Sequence, residues 1–481
     1  MHLLLNKTAI EIVDPAADIT LLQWLRESQH LTATKEGCAV GDCGACTVIV
    51  GELEHGEAVY RSVNACIALL ASLDGCHVIT LDVLQDSNLH PVQRAMVECH
   101  SSQCGFCSPG FVMSLVVWWL NTPANQLTTP EAFAQHRHGV ELALSGNLCR
   151  CTGYLPILLA ADRLAPMDRT MDPLFNQMGG YDHCLAHLKS IASQSQSHDR
   201  DARAQAYMAP SSLEELALAY EAFPQTRLVA GSTDLALGIT HGLQSIERLI
   251  DVTGVKELQS IEQRDHHIYI GAGVRLSEVE AFCQALLPAM SDLLGRFASR
   301  QVRNRATLVG NIANSSPIAD IPPLLLVMGA KLILQCGLNQ RTIPLSEFNL
   351  GYKKTALKSG EFIHSVILPL PLTSQQVSVE KVSKRAEDDI SATCVAMSIT
   401  LTHGAIAQIN IACGGMAAIP KMANETQSQL LGQPLTQELV AQVPLWLARD
   451  YQPIDDMRAS AAYRQQVTAN LIQGFLKEAM G

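Results

Sequence analysis

Residues 3–12 alternate apolar and polar around Asn6-Lys7, a period of two that predicts a short β-hairpin. The period lengthens at Leu21–Arg26, where Thr20 stands ready to cap an amphipathic helix. Cys46–Val50, Glu57–Val63 and His77–Leu81 read as strands, and Phe111–Leu120 as a helix apolar on every side, hence buried. That run is about half the length needed to span a bilayer. Leu155–Ala161 predicts another helix. Residues 166–206, including the polar stretch Gln194–Asp201, show little periodicity and predict a surface linker that crosses over another subunit. Pro210–Leu216 has capping-box order, and Arg227–Leu235 predicts a strand entering a small-residue turn. Near the end, Val395, Met397, Ile399 and Leu401 alternate as in a half-buried strand, followed by Ile409–Ile411.

Composition narrows the class. A chain of 481 residues predicts three or four domains, and 48% apolar with 17% charged residues describes a globular protein with ample core. A net charge of −12 argues against nucleic-acid binding and against a polybasic membrane-surface role. Met1–Lys7 lacks the layout of a signal peptide, so a cytoplasmic location without a membrane is expected. Ten of the fifteen cysteines fall within the first 151 residues, and in a reducing compartment such clustering points to metal rather than disulfides.

The densest chemistry lies at Lys35–Val48. Cys38, Cys43 and Cys46 form a C-x4-C-x2-C array with glycines between, the spacing by which a loop wraps a plant-type [2Fe–2S] cluster. The fourth thiolate is read as Cys66, with Cys76, just ahead of the His77 strand, as the alternative. A second set begins at Gln103-Cys104-Gly105-Phe106-Cys107-Ser108-Pro109, ahead of the 111–120 helix. It resumes at Gly146-Asn147-Leu148-Cys149-Arg150-Cys151, ahead of the 155–161 helix. Both thiol pairs thus sit at helix N-termini, where free amides and the macrodipole stabilise negative charge. Four cysteines alone also admit zinc.

EGCAVGDCGACTV, QCGFCSPG and GNLCRCTGY, in that order, resemble the iron–sulfur region of the molybdenum hydroxylases, a family that includes xanthine dehydrogenases, aldehyde oxidases and carbon monoxide dehydrogenases. The resemblance implies an α+β multidomain chain. Its parts are a β-grasp [2Fe–2S] ferredoxin domain (1–83), a four-helix [2Fe–2S] domain (84–165), the linker (166–206), an α+β FAD-binding domain of the PCMH/VAO type (207–372) and a C-terminal α+β flavoprotein domain (376–481). It assigns Cys38, Cys43, Cys46 and Cys66 to one cluster, and Cys104, Cys107, Cys149 and Cys151 to the other. Gln103 is implied to touch molybdopterin held by a partner. Val40 and Leu155 depart from the usual family residues.

On its residues alone, the Gly231-Ser232-Thr233 turn is a weak phosphate signal, and the stretch from Gln301 to Asp320 reads as an ordered polar loop. The family resemblance makes both parts of an FAD site. It places Leu228, Val229, Ala230, Gly231, Ser232, Thr233, Asp234 and Leu235 at the pyrophosphate turn, and Thr307, Gly310, Asn311 and Asp320 in the flavin loop. Phe297, Ile363 and Lys381 are implied to flank the flavin; Val309 replaces a usual glycine. The 384–389 loop reads as a solvated charge run, although the resemblance puts it near the nicotinamide-facing side. No molybdopterin domain follows to Gly481. The expectation is therefore an oxidoreductase subunit with two [2Fe–2S] clusters and FAD, passing electrons from a molybdenum centre on a large partner to NAD+. In carbon monoxide dehydrogenases the iron–sulfur and flavin parts are usually separate chains, so their fusion favours the xanthine dehydrogenase branch. The alternative is the same role in an aldehyde or other N-heterocycle hydroxylase. Either implies a heterotetramer of two small and two large subunits, and no residue here is expected to act as a catalytic acid or base.

Overall fold

The computed structural model describes residues 1–84, 89–122, 130–164, 172–196 and 206–480, which fold as two compact units. The first contains residues 1–209, 226–251 and 298–306; the second contains 210–225, 252–297 and 307–481. The chain is thus grouped differently from the five consecutive segments expected, because the 227–251 and 298–306 segments pack with the iron–sulfur residues.

In the first unit, strands β1 (His2–Leu5), β2 (Thr8–Glu11), β3 (Thr47–Glu54), β4 (Glu57–Asn64) and β5 (His77–Ile79) form one sheet in the order β2-β1-β5-β3-β4. β1 and β5 run parallel and the other pairs antiparallel, the β-grasp arrangement. Leu3, Val48, Val50 and Val78 face one core with the short helix α1 (Leu21–Gln23). Thr20 caps α1 as expected, its hydroxyl accepting from the Gln23 amide at 3.2 Å, but the α-helix lasts one turn and continues as a π turn over Trp24–Ser28.

The other face of the sheet meets helices. These are α2 (Pro91–Glu98), α3 (Ser108–Asn121), α4 (Pro130–Leu144), α5 (Leu155–Asp162), α6 (Pro173–Asn176) and α7 (Tyr181–Gln196). α3 is buried on nearly every side and lies against β3, so its all-apolar sequence buries against sheet and helices together. The expected linker is corrected here. Between 172 and 196 the chain forms α6 and α7, and α7 packs on β1, β3 and β4. Phe175, Cys184 and Leu188 are buried in the helical core, while 165–171 and 197–205 lie outside the described residues. A small parallel sheet of Tyr207–Met208, Leu249–Asp251 and Arg227–Val229 completes this unit.

The second unit holds two larger antiparallel sheets and a two-stranded one of Asn349–Gly351 with Lys354–Thr355. The first has the strand order 339–344, 331–336, 362–369, 267–271, 261–264, and the second the order 375–382, 393–402, 405–414, 421–422. Thr393–Thr402 was expected to be half-buried, yet it is buried on both faces as far as Ile399. The helix Ile321–Val327 and the long helix Ala461–Ala479 both pack on it, and small residues at Cys394, Ala396 and Ser398 leave room for the second layer. Among the described residues, no helix is long and apolar enough to cross a membrane.

Candidate iron–sulfur and flavin sites

The loop after Lys35 curls tightly enough to turn its own amides onto a sulfur. Val40 and Cys43 amides donate to Cys38 Sγ at 3.5 and 3.3 Å, with Ala39 and Gly41 in the left-handed region. Cys43 and Cys66 are both within hydrogen-bonding reach of the Cys38 sulfur, and Cys66 also reaches Cys46. The four sulfurs are drawn together as thiols, standing for the thiolates a cluster would take. Hydrogen bonds from Cys43 and Cys66 hold Cys38 far below the usual thiol range. Cys43 and Cys66 are pushed up, chiefly by donating to that sulfur and then by burial. Cys76, the alternative ligand, instead points its thiol at the Asp74 carbonyl, 3.8 Å away.

Of the second set only Cys107 stands at a helix N-terminus, whereas Cys104 lies in the turn ahead of α3, and Cys149 and Cys151 lie in the turns ahead of Tyr154 and α5, short of the expected helix end. Cys107 caps α3, Pro109 sits in its first turn, and Tyr154 precedes α5. Cys151 and Cys104 sulfurs are 3.6 Å apart, and Cys107 donates to Cys149. Burial pushes the Cys107 thiol up to about 12. For Cys149 burial works against ionisation, but hydrogen bonds led by the Thr152 hydroxyl, 3.1 Å from the sulfur, outweigh it. Cys104 is lowered, first by the Phe106 amide and then by Cys151. Cys104, Cys151 and Gln103 are exposed, so this set lies at the surface of the unit.

Among the described residues, no group of three or more His, Cys, Asp or Glu side chains surrounds a single-ion position. The sulfurs of the first set follow one another as Cys43, Cys38, Cys66, Cys46, and those of the second approach as two pairs. Four sulfurs gathered in each set suit a [2Fe–2S] cluster, in which four thiolates are shared between two irons. Donors already aimed at Cys38 and Cys149 suit the negative charge that cluster thiolates carry.

The expected flavin residues fall in both units. In the first, Leu228 and Val229 end a strand, and the turn at Gly231 passes so close to the Arg305 carbonyl that a Cβ would overlap it. Ser232, at a φ of +62°, donates its hydroxyl to the Ile67 carbonyl at 2.6 Å. The Gly231 carbonyl, 2.7 Å away, is a second acceptor for the same proton. Thr233 and Asp234 follow, and Leu235 opens a short helix to Thr240.

In the second unit, Thr307 caps the helix Leu308–Ala313, accepting from the Gly310 amide at 3.0 Å. Asn311 keeps a buried Oδ1 without a partner, an acceptor that fits a donor from a bound cofactor. Asp320 and Lys381 meet as a buried ion pair at 3.0 Å. Asp320 also accepts from Ser391 at 2.6 Å, while Lys381 donates to the Arg296 carbonyl at 3.1 Å and lies 5.9 Å from the Phe297 ring centre. Such a pair is costly to break, at about 3–5 kcal/mol for loss of one partner. Ile363 is buried in the other sheet, opposite Leu334.

Sequence reasoning missed Ser391, Ser114 and Gln301, single polar residues without a local pattern. It passed over Asn147 inside a motif that it had quoted for its cysteines.

Two cysteine sets of this kind, in a chain whose other unit is of the α+β type expected for flavin, define an iron–sulfur flavoprotein. Four family models match in order: 2Fe–2S iron–sulfur cluster binding domain (3–71), [2Fe–2S] binding domain (80–162), FAD binding domain in molybdopterin dehydrogenase (200–371) and CO dehydrogenase flavoprotein C-terminal domain (379–479). The chain belongs to the molybdenum hydroxylase family, as its iron–sulfur and FAD region. It is 29% identical to xanthine dehydrogenase of Drosophila subobscura, over 97% of this chain and 38% of that protein. It is 31% identical to xanthine dehydrogenase of Oryza sativa subsp. japonica, over 87% and 35% respectively. The chain thus spans well under half the length of these relatives. Among solved structures, carbon monoxide dehydrogenase from Hydrogenophaga pseudoflava, in a form lacking the Mo-pyranopterin moiety, is similar at a TM-score of 0.53 and 26% identity. That match covers 56% of this chain and 94% of the other. Quinoline 2-oxidoreductase from Pseudomonas putida 86 shares the fold at a TM-score of 0.53 and 23% identity, over 57% and 98%.

Proposed function

We propose that this chain is the electron-transfer subunit of a xanthine dehydrogenase, relaying electrons from a molybdenum centre on a large partner subunit to NAD+. The convergence of eight cysteine sulfurs as two separate fours in one unit carries this reading. Cys38, Cys43, Cys46 and Cys66 would hold one cluster, and Cys104, Cys107, Cys149 and Cys151 the other. FAD is assigned residue by residue to the 228–235 turn and to Phe297, Thr307, Gly310, Asn311, Asp320, Ile363 and Lys381. When bound, the clusters handle single electrons and the flavin handles pairs, so the chain supplies the change from one-electron to two-electron chemistry.

The chain's own residues hold and tune. The Val40 and Cys43 amides and the Thr152 hydroxyl donate to sulfur, which favours added negative charge there. Asp320 and Lys381 fix each other in the flavin-binding unit. The exposed Gln103, beside the exposed Cys104, is assigned to the molybdopterin-bearing partner, in an assembly of two small and two large subunits. Likeness to xanthine dehydrogenases along nearly the whole chain supports the purine branch.

Purification with the native partner tests this. A molybdenum-containing large subunit is expected to co-purify, xanthine to be oxidised with NAD+, and NADH to bleach the flavin absorption. A preparation with no molybdenum partner and a flavin that NADH leaves oxidised would sink the proposal.

A further inference from the structure

Asn147 stands two residues before Cys149, and its side chain is buried at 2% exposure. Its Nδ2 donates to the Gly44 carbonyl at 3.1 Å, in the loop between Cys43 and Cys46. Its Oδ1 accepts from Ser114 Oγ at 2.7 Å and from Gln301 Nε2 at 3.0 Å, and Gln301 also donates to Ser114 at 3.0 Å. The next residue adds a backbone link, since the Leu148 amide donates to the Cys43 carbonyl at 3.0 Å. A peptide bonded to a residue of one sulfur set therefore touches a residue of the other.

Nothing separates the two loops. Gly44 has a φ of +66°, and a Cβ there would overlap the Gly146 carbonyl and the Asn147 amide. A Cβ on Gly110, in the first turn of α3, would overlap the Gly44 carbonyl. The Gly44 carbonyl already accepts from its own loop, from the Thr47 amide at 3.1 Å and the Thr47 hydroxyl at 2.7 Å. Asn147 adds a donor from the other loop at that same oxygen, and Ser114 and Gln301 fix its orientation by occupying the acceptor end. An amide held from three segments has one orientation available, whereas a residue that merely filled space would need none of these bonds.

We infer that Asn147 is a positioning residue that sets the separation of the two sulfur sets, and with it the magnetic coupling between the clusters they hold. This rests on the two-cluster reading above. Iron and acid-labile sulfide in the unmodified full chain test that reading separately, since their absence removes the clusters and not merely the coupling.

The inference is tested by electron paramagnetic resonance of the chemically reduced protein, comparing the unmodified chain with Asn147→Ala, Asn147→Asp and Gly110→Ala. Asn147→Asp keeps the size and turns the donor into a second acceptor facing the Gly44 carbonyl. Gly110→Ala drives a methyl between the loops and leaves Asn147 in place. Dipolar coupling falls with the inverse cube of distance. Variants that retain iron are expected to keep both cluster signals with their mutual splitting and relaxation enhancement weakened. Unchanged splitting in iron-replete variants overturns the inference. So does an iron-replete unmodified chain whose clusters are magnetically isolated. Loss of iron from all three variants overturns it too, because Asn147 would then serve folding rather than spacing.

Discussion

His77 opens β5, the central strand of the ferredoxin sheet, with both ring nitrogens engaged. Its Nε2 donates to the Asn6 carbonyl at 2.9 Å, so its Nδ1 accepts from the Tyr60 hydroxyl at 3.2 Å. That arrangement suits the neutral ring. Burial holds its pKa down to about 4, against an ordinary 6.5, with the Asn6 bond opposing in part. Because the unfolded state binds the proton first, His77 contributes stability that is intact above pH 6.5 and is lost as pH falls from 6.5 towards 4. The loss is on the order of 3 kcal/mol. Unfolding midpoints measured across this window should fall less steeply in His77→Gln than in the unmodified chain; parallel curves would contradict the assignment. The same residue-scale logic applies at Cys149, where the Thr152 hydroxyl, rather than burial, decides the direction of the shift.

Among elements, α7 is the clearest departure from expectation. A polar composition and serine-rich end made residues 166–206 read as a linker. Yet Cys184, Leu188 and Ile191 recur at helical spacing, and all three are buried. The stripe is narrow because α7 needs one apolar side only, where it rests on β1, β3 and β4. Leu188→Ala should therefore cost about 2–5 kcal/mol, the usual range for a truncated core leucine. A thermal unfolding midpoint that does not move would restore the linker reading. The strand Thr393–Thr402 errs in the opposite sense. Its alternating large residues are the visible half of its burial, and the small residues between them are covered by a helix on the second face.

For the whole molecule, the two cysteine sets are carried by separate segments, so each should load without the other. Cys43→Ser is expected to abolish one cluster's paramagnetic signal and leave the second, with flavin absorption retained. Survival of both signals would show that the ligand assignment is wrong. The grouping of residues 227–251 and 298–306 with the iron–sulfur unit also changes how the chain reads as a set of domains. Matches to separate family models follow the sequence in order, whereas compactness follows packing. Ser232 shows the difference: it belongs by sequence to the expected FAD domain, and its hydroxyl is bound to the Ile67 carbonyl beside Cys66.

Cysteine spacing, helix caps and apolar runs determined the cluster loops, the burial of α3 and the family, because these features act within a few residues and need little knowledge of distant partners. Thr20, Pro109 and the C-x4-C-x2-C array are of this kind. The tertiary structure alone decided that Asp320 meets Lys381 and Ser391, that α7 covers a sheet, and that Asn147 closes on Gly44, Ser114 and Gln301. Those contacts join residues tens to more than a hundred positions apart. A lone buried asparagine or serine has no periodicity to announce it. Its partners are set by which distant backbone and side-chain groups the fold brings within hydrogen-bonding reach.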